Sequence, residues 1–201
     1  MARATKILQR CRKAVEDLDL RNLLESEINH ERSSPLLGNQ SGSVREFLLN
    51  QRGSLGEFVA YWDSFKSQDV VLRRHCESGE EVAVSALLDP SRNGLFKVCV
   101  KKPGLNSILQ FDCGFYANGN TVSQIDIHSV SYLQSIACPN PSAYIFRALH
   151  PDLQTALREY LVAKGISESL VNFLHQHLSE KEQGQYLNWL KKLQSLTTEG
   201  K

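Results

Sequence analysis

The order of hydrophobic patterns along the 201-residue chain predicts an α+β fold. Apolar residues recur at helical spacing near the start of the chain and again after Pro139, whereas the middle alternates apolar and polar residues in short segments. Because the two kinds of pattern are segregated, an antiparallel sheet covered by helices from the chain ends is favoured over a parallel α/β sheet.

The first predicted helix carries apolar residues three and four positions apart. These residues form an apolar seam along one side of the helix. The seam consists of Leu8, Cys11, Val15 and Leu18, followed after a change of helical phase by Leu20, Leu24 and Ile28. Pro35 ends the helix because proline lacks the amide hydrogen that a helix interior requires, and residues 33–56 are predicted to form a loop. Residues 1–13 contain five basic residues and no acidic one, which fits either a remnant of a mitochondrial presequence or a basic helix start.

The middle of the chain contains six segments with strand-forming composition. They are Glu57–Trp62, Asp69–Cys76, Glu80–Leu88, Leu95–Lys101, Ser107–Tyr116 and Val122–Leu133. Short joins rich in glycine, proline and asparagine connect them, so hairpins and an antiparallel meander are expected. Such a sheet has one apolar face, which the flanking helices must cover.

Two further helices are predicted toward the end of the chain. Pro151 begins the first of them and Gly165 provides its C-terminal cap. Ser167 caps the second, and the capping-box pattern Ser179–Glu182 predicts that it restarts or bends there. Four residues then follow heptad spacing: Tyr186, Trp189, Leu193 and Leu196. We expect them to pack against the N-terminal seam as a helix pair or to form a subunit contact.

The charge balance excludes a molecule-wide field for nucleic acids or anionic membranes, because the formal net charge is +1. No apolar run reaches the roughly 20 residues that span a bilayer, so membrane insertion is not expected. The basic pairs Arg73–Arg74 and Lys101–Lys102 lie near aromatic residues, which keeps an RNA- or ribosome-associated module as an alternative. Solvated charges at sheet edges are the simpler interpretation.

The chemistry-bearing side chains give little support for catalysis or metal binding. None of the five cysteines is spaced as C-x-x-C, so neither a disulfide framework nor a zinc site is expected, and no cofactor is predicted. His175 and His177 diverge by about 200° on a helix, which disfavours a shared metal ion. Cys113 and His128 on neighbouring strands keep a small cysteine-dependent enzyme as the least favoured alternative.

Four passages of the sequence are similar to one known family. They are Arg12–Leu20 with Glu25–Glu31, Glu57–Asp63 with Asp69–Arg74, Leu109–Cys113, and a last group formed by Tyr144–Leu149, Leu153–Gln154, Tyr160–Leu161, Gly165–Ile166, Asn172–Leu174 and Tyr186–Leu193. In this order they resemble the mitochondrial acidic matrix protein family, also called the mitochondrial glycoprotein family, in its plant-like form.

The resemblance implies one domain over residues 1–201, with an N-terminal helix, a strongly twisted antiparallel sheet of about seven strands and C-terminal helices. It implies a doughnut-shaped homotrimer in the mitochondrial matrix that acts as a non-enzymatic, chaperone-like scaffold. The implied partners are other copies of the chain, matrix proteins and mitochondrial ribosome components, in support of oxidative phosphorylation and mitochondrial translation. Family members are strongly acidic, whereas this chain is nearly neutral, which weakens the expectation of an acidic binding surface.

Overall fold

The computed structural model describes residues 19–33, 58–89, 91, 93–118, 121–135 and 142–198. The predicted seam residues Leu8, Cys11, Val15 and Leu18, the basic segment 1–13 and nearly all of the predicted loop 33–56 lie outside these ranges. The chain divides into two compact units, one formed by residues 1–40 and 180–201 and the other by residues 41–179. The prediction of a single domain stays a prediction.

Over the described residues, the larger unit contains one seven-stranded antiparallel sheet in which the strands follow sequence order. The strands are β1 (Val59–Asp63), β2 (Val70–His75), β3 (Glu81–Leu88), β4 (Gly94–Lys101), β5 (Ile108–Asn118), β6 (Thr121–Leu133) and β7 (Ser142–Ile145). The predicted α+β meander is confirmed. β7 was not predicted from the sequence pattern, because its four residues do not extend far enough to show alternation.

The core of the larger unit forms on the apolar face of this sheet. In β3 and β4, alternate residues such as Val82, Val84 and Val98 are fully buried, because successive strand side chains point to opposite faces. Helical residues such as Leu170 and Leu174 belong to the same cluster of buried side chains. The predicted cover of the sheet by flanking helices is therefore confirmed for the C-terminal helices and stays a prediction for the N-terminal one.

The helices are α1, described over residues 19–32, α2 (Pro151–Ala163) and α3 (Glu168–Thr198), with a short 3-10 helix at Phe146–Ala148. Gly165 follows α2 with a φ of +89°, as its predicted capping role requires. The Ser167 hydroxyl accepts a hydrogen bond from the Leu170 amide at 3.3 Å and caps α3. Of the two outcomes predicted at Ser179–Glu182, the restart is wrong, because α3 continues through this segment without interruption, and the bend stays a prediction.

In the smaller unit, α1 packs against the C-terminal part of α3 as predicted, but through a different set of α3 residues. Leu24 and Ile28 of α1 form a buried cluster with Leu187 and Leu190, and Leu193 packs against it. Leu193 is thus the one predicted α3 seam residue that joins this apolar cluster. The antiparallel direction follows from two side-chain hydrogen bonds, Gln183 to Glu31 and Tyr186 to Glu27.

Tyr186, Trp189 and Leu196 are exposed and lie outside the buried cluster that joins α1 to α3, so their predicted role in the helix pair stays a prediction. α3 carries two overlapping apolar rows, and α1 covers the row that contains Leu187 and Leu190. The phenol and the indole of the other row can keep their polar groups in water. The alternative prediction that the exposed residues form a subunit contact stays a prediction.

Candidate interaction surfaces

The predicted nucleophile and base, Cys113 and His128, lie on opposite faces of the sheet. Cys113 belongs to the buried core, whereas the His128 ring lies over Gly114 on the other face, with Cε1 only 2.9 Å from the position of a Cβ on that glycine. Burial raises the pKa of the Cys113 thiol to about 12. A neutral thiol separated from the imidazole by the sheet is not activated as a nucleophile, so the pair is not formed.

His175 and His177 contact different partners in the larger unit. The rings of His175 and Phe115 are nearly perpendicular, with the centroids 5.8 Å apart, and burial lowers the pKa of this imidazole. His177 stacks on Phe173 and lies 3.1 Å from the Asp63 carboxylate of β1. Within the described ranges, no cluster of three or more histidine, cysteine or acidic side chains could hold a metal ion.

The outer face of the sheet, opposite the core, carries a polar network around Asp112. Its carboxylate accepts hydrogen bonds from the Ser129 hydroxyl at 2.8 Å and the Gln110 amide at 3.2 Å, and lies 3.6 Å from the Lys97 ammonium. Each partner sits on the same strand or directly across from Asp112 in the strand register. These contacts offset the charges on this part of the face.

The basic pair Arg73–Arg74 does not form one cationic surface. The Arg73 guanidinium lies 3.5 Å from the Tyr61 ring centroid and 3.1 Å from Glu81. The Arg74 guanidinium instead packs closely against Gly165 in the turn after α2. Because neighbouring strand residues point to opposite faces, the two guanidiniums diverge, which removes one of the observations that favoured an RNA-binding module.

Over the described residues, both edge strands of the sheet lie beside large exposed apolar side chains. At the β1 edge these are Val59, Tyr61, Trp62 and the following Phe65. At the β7 edge, Tyr144 and Ile145 are 65% and 69% exposed, and Tyr132 of β6 is exposed beside them. β1 contains an irregularity in its register with β2, a common protection of edge strands, whereas the pairing of β7 with β6 is regular. The β7 edge is therefore the less protected of the two.

The smaller unit exposes an apolar surface of its own, which we term the helix-pair rim. It consists of Leu20, Leu23, Tyr186, Trp189 and Leu196. The rings of Tyr186 and Trp189 stack with centroids 5.9 Å apart and an interplanar angle of 17°. The sequence pattern identified the α3 members of the rim as seam residues, but their exposure could only be learned from the packing of α1.

A family model described as mitochondrial glycoprotein matches residues 77–197, which is more than half of the chain. The chain belongs to the mitochondrial glycoprotein family. The family name associates the chain with mitochondria. Among the described helices of this mitochondrial glycoprotein family member, none has the length and hydropathy needed to cross a membrane.

Solved structures share the fold of this mitochondrial glycoprotein family member. One is a Leishmania major protein of unknown function, described as a sequence homologue of human p32, with 14% identity and a TM-score of 0.70; the match covers 90% of this chain and 99% of that one. Another is the Trypanosoma brucei p22 protein, with 17% identity, a TM-score of 0.65 and coverage of 91% and 99%. No curated protein matches the chain in a sequence comparison.

Proposed function

We propose that the chain is a non-enzymatic, homotrimeric scaffold of the mitochondrial matrix that binds several protein partners. The observation that carries this proposal is the set of large apolar side chains left exposed at both sheet edges and on the helix-pair rim. Apolar surface of this kind on a folded chain is typical of protein–protein contact sites. Membership of the mitochondrial glycoprotein family supports the mitochondrial part of the proposal.

The edges of the sheet are suited to contacts between copies of the chain. β1 and β7 differ in sequence and register. A contact between one edge and a different surface of the next copy is therefore heterologous. Such contacts close into a ring when the rotation between successive copies returns to the first copy. A ring of three presents each partner-binding surface three times. Several weak contacts then add up through avidity, which suits a scaffold for matrix proteins and ribosome components in support of translation and oxidative phosphorylation.

The non-enzymatic part of the proposal is supported by the environments of the candidate catalytic side chains. Burial raises the pKa of the Cys113 thiol. The rings of His128, His175 and His177 contact a glycine, an aromatic ring or a carboxylate. A scaffold needs exposed contact surface rather than an activated nucleophile.

Sedimentation equilibrium at low micromolar concentration tests the assembly. We expect a mass three times the 22.6 kDa of the chain. Replacing Ile145 at the β7 edge by serine should weaken assembly, whereas Val162→Ser on α2 should not, although both side chains are exposed to a similar degree. A wild-type protein that sediments as a single chain at this concentration contradicts the trimer.

A further inference from the structure

The apolar surface of α3 in the smaller unit is wider than one partner helix covers. Leu187 and Leu190 face α1, while Tyr186, Trp189 and Leu196 remain exposed. Successive helix residues are separated by about 100°, so Leu187 and Leu196 lie on opposite sides of the helix, about 180° apart. A surface helix normally needs an apolar stripe of only about 100°, so α3 has apolar surface for a second partner.

The exposed apolar residues of the two helices border the same groove. The Tyr186 hydroxyl donates a hydrogen bond to Glu27 of α1 at 3.1 Å, which identifies the flank of α1 that adjoins the α3 aromatic residues. Leu20 and Leu23 precede Glu27 by seven and four residues and therefore share this flank. A groove with leucines on one helix and stacked aromatic residues on the other fits the apolar face of a third helix.

Negative charge is concentrated at one end of this groove. Glu27 and Glu31 of α1 lie beside Tyr186 and Gln183, and Glu182 lies one helical turn before Tyr186. Burial raises the pKa of the Tyr186 phenol, and the negative charges of these two α1 residues raise it further. An occupant of the groove should therefore carry cationic side chains at the corresponding end.

We propose that the helix-pair rim binds an amphipathic helix of a partner protein whose apolar face ends in lysine or arginine residues. A second copy of the rim is a poorer match, since none of the five rim residues carries a positive charge that could face the carboxylates. The inference rests on the proposed protein-binding function and specifies the class of partner.

The test uses a synthetic helical peptide of about 18 residues, or five turns, with leucines along one face and lysines at one end of that face. A matched peptide carries glutamates in place of the lysines. The chain has two tryptophans, so the Trp62→Phe variant leaves Trp189 as the sole reporter of binding by fluorescence. We expect the lysine peptide to shift the Trp189 emission to shorter wavelength and the glutamate peptide to bind at least about tenfold more weakly.

Variants separate the apolar and electrostatic contributions when binding is followed by the anisotropy of a labelled peptide. Trp189→Ala should weaken binding at least about tenfold, the loss typical of a central aromatic contact. The double variant Glu27→Gln, Glu182→Gln should weaken binding several-fold and reduce its salt dependence. Val162→Ala removes an exposed apolar side chain from the other unit and should leave the affinity unchanged.

Equal affinity for the two peptides, or an unchanged affinity in Trp189→Ala, would overturn the inference. So would dissociation of the protein's own oligomer by Trp189→Ala, because the rim would then belong to a subunit contact. Sedimentation of the protein without peptide tests the proposed trimer separately. The trimer proposal predicts a threefold mass whether or not the peptide binds, so either proposal can fail without the other.

Discussion

The Lys164 ammonium group donates a hydrogen bond to the Glu80 carboxylate, and both side chains are mostly buried. The Ser78 hydroxyl donates to the same carboxylate at 3.0 Å. The Lys164 ammonium also lies 5.2 Å from the centroid of the Tyr160 ring. The contact joins the turn between β2 and β3 to the end of α2, so it links the sheet to the helices that cover it.

Removing one member of this pair should destabilise the protein strongly. Lys164→Met leaves the Glu80 carboxylate buried without its cation, and we expect the free energy of unfolding in urea to fall by about 3 kcal/mol. Lys97→Met serves as the control because its ion pair with Asp112 is largely exposed. Its effect should stay below about 1 kcal/mol. Equal losses in the two variants would mean that the Lys164 contact behaves as a surface pair.

The same pair makes the stability sensitive to acid. The hydrogen bond from Lys164 lowers the pKa of Glu80 below its ordinary value of 4.5. A lowered folded-state pKa stabilises the protein fully above pH 4.5 and loses this contribution as the pH falls through the folded value. Urea unfolding of wild type and Glu80→Gln at several pH values should therefore show curves that converge below pH 4.5. Parallel curves through that range would contradict the assignment.

Gly165 combines a left-handed backbone with close packing. Its φ is +89°, and a Cβ at this position would overlap the Arg74 guanidinium. Gly104 is a matched control, because its φ is +74° but nothing lies within 4 Å of the corresponding position. Gly104→Ala should cost about 1–2 kcal/mol of unfolding free energy from backbone strain. Gly165→Ala should cost more, since Arg74 must also move, and an equal cost would show that Arg74 moves freely.

The two adjacent residues Trp189 and Leu190 of α3 should respond differently to truncation. Leu190 is 3% exposed in the cluster with α1, so Leu190→Ala should lower the unfolding free energy by about 2–5 kcal/mol. Trp189 is 55% exposed, and Trp189→Ala should cost less than about 1 kcal/mol when assembly is unchanged. Chemical denaturation at fixed protein concentration measures the unfolding free energy of both variants. A larger loss for Trp189→Ala than for Leu190→Ala would mean that Trp189 packs in the helix pair, as heptad spacing predicted.

Local patterns were sufficient for most of the fold. Alternation in Glu80–Leu88 and Leu95–Lys101 predicted strands with one apolar face, which correspond to β3 and β4, and Pro151 and Gly165 marked the limits of α2. β7 was missed because four residues are too few for a period to be recognised. The continuation of α3 through Ser179–Glu182 was also misjudged, since a capping-box sequence consists of residues that a helix interior accepts equally well.

The sequence alone therefore determined the type and order of most elements, since periodicity and turn chemistry depend on residues that are neighbours along the chain. Tertiary structure decided which row of α3 faces α1, that His128 lies across the sheet from Cys113, and that Lys164 reaches Glu80 across a separation of 84 residues. Each of these arrangements involves residues that are far apart in the sequence. Whether such an arrangement forms depends on packing and desolvation in the folded chain, which a local sequence pattern does not reveal.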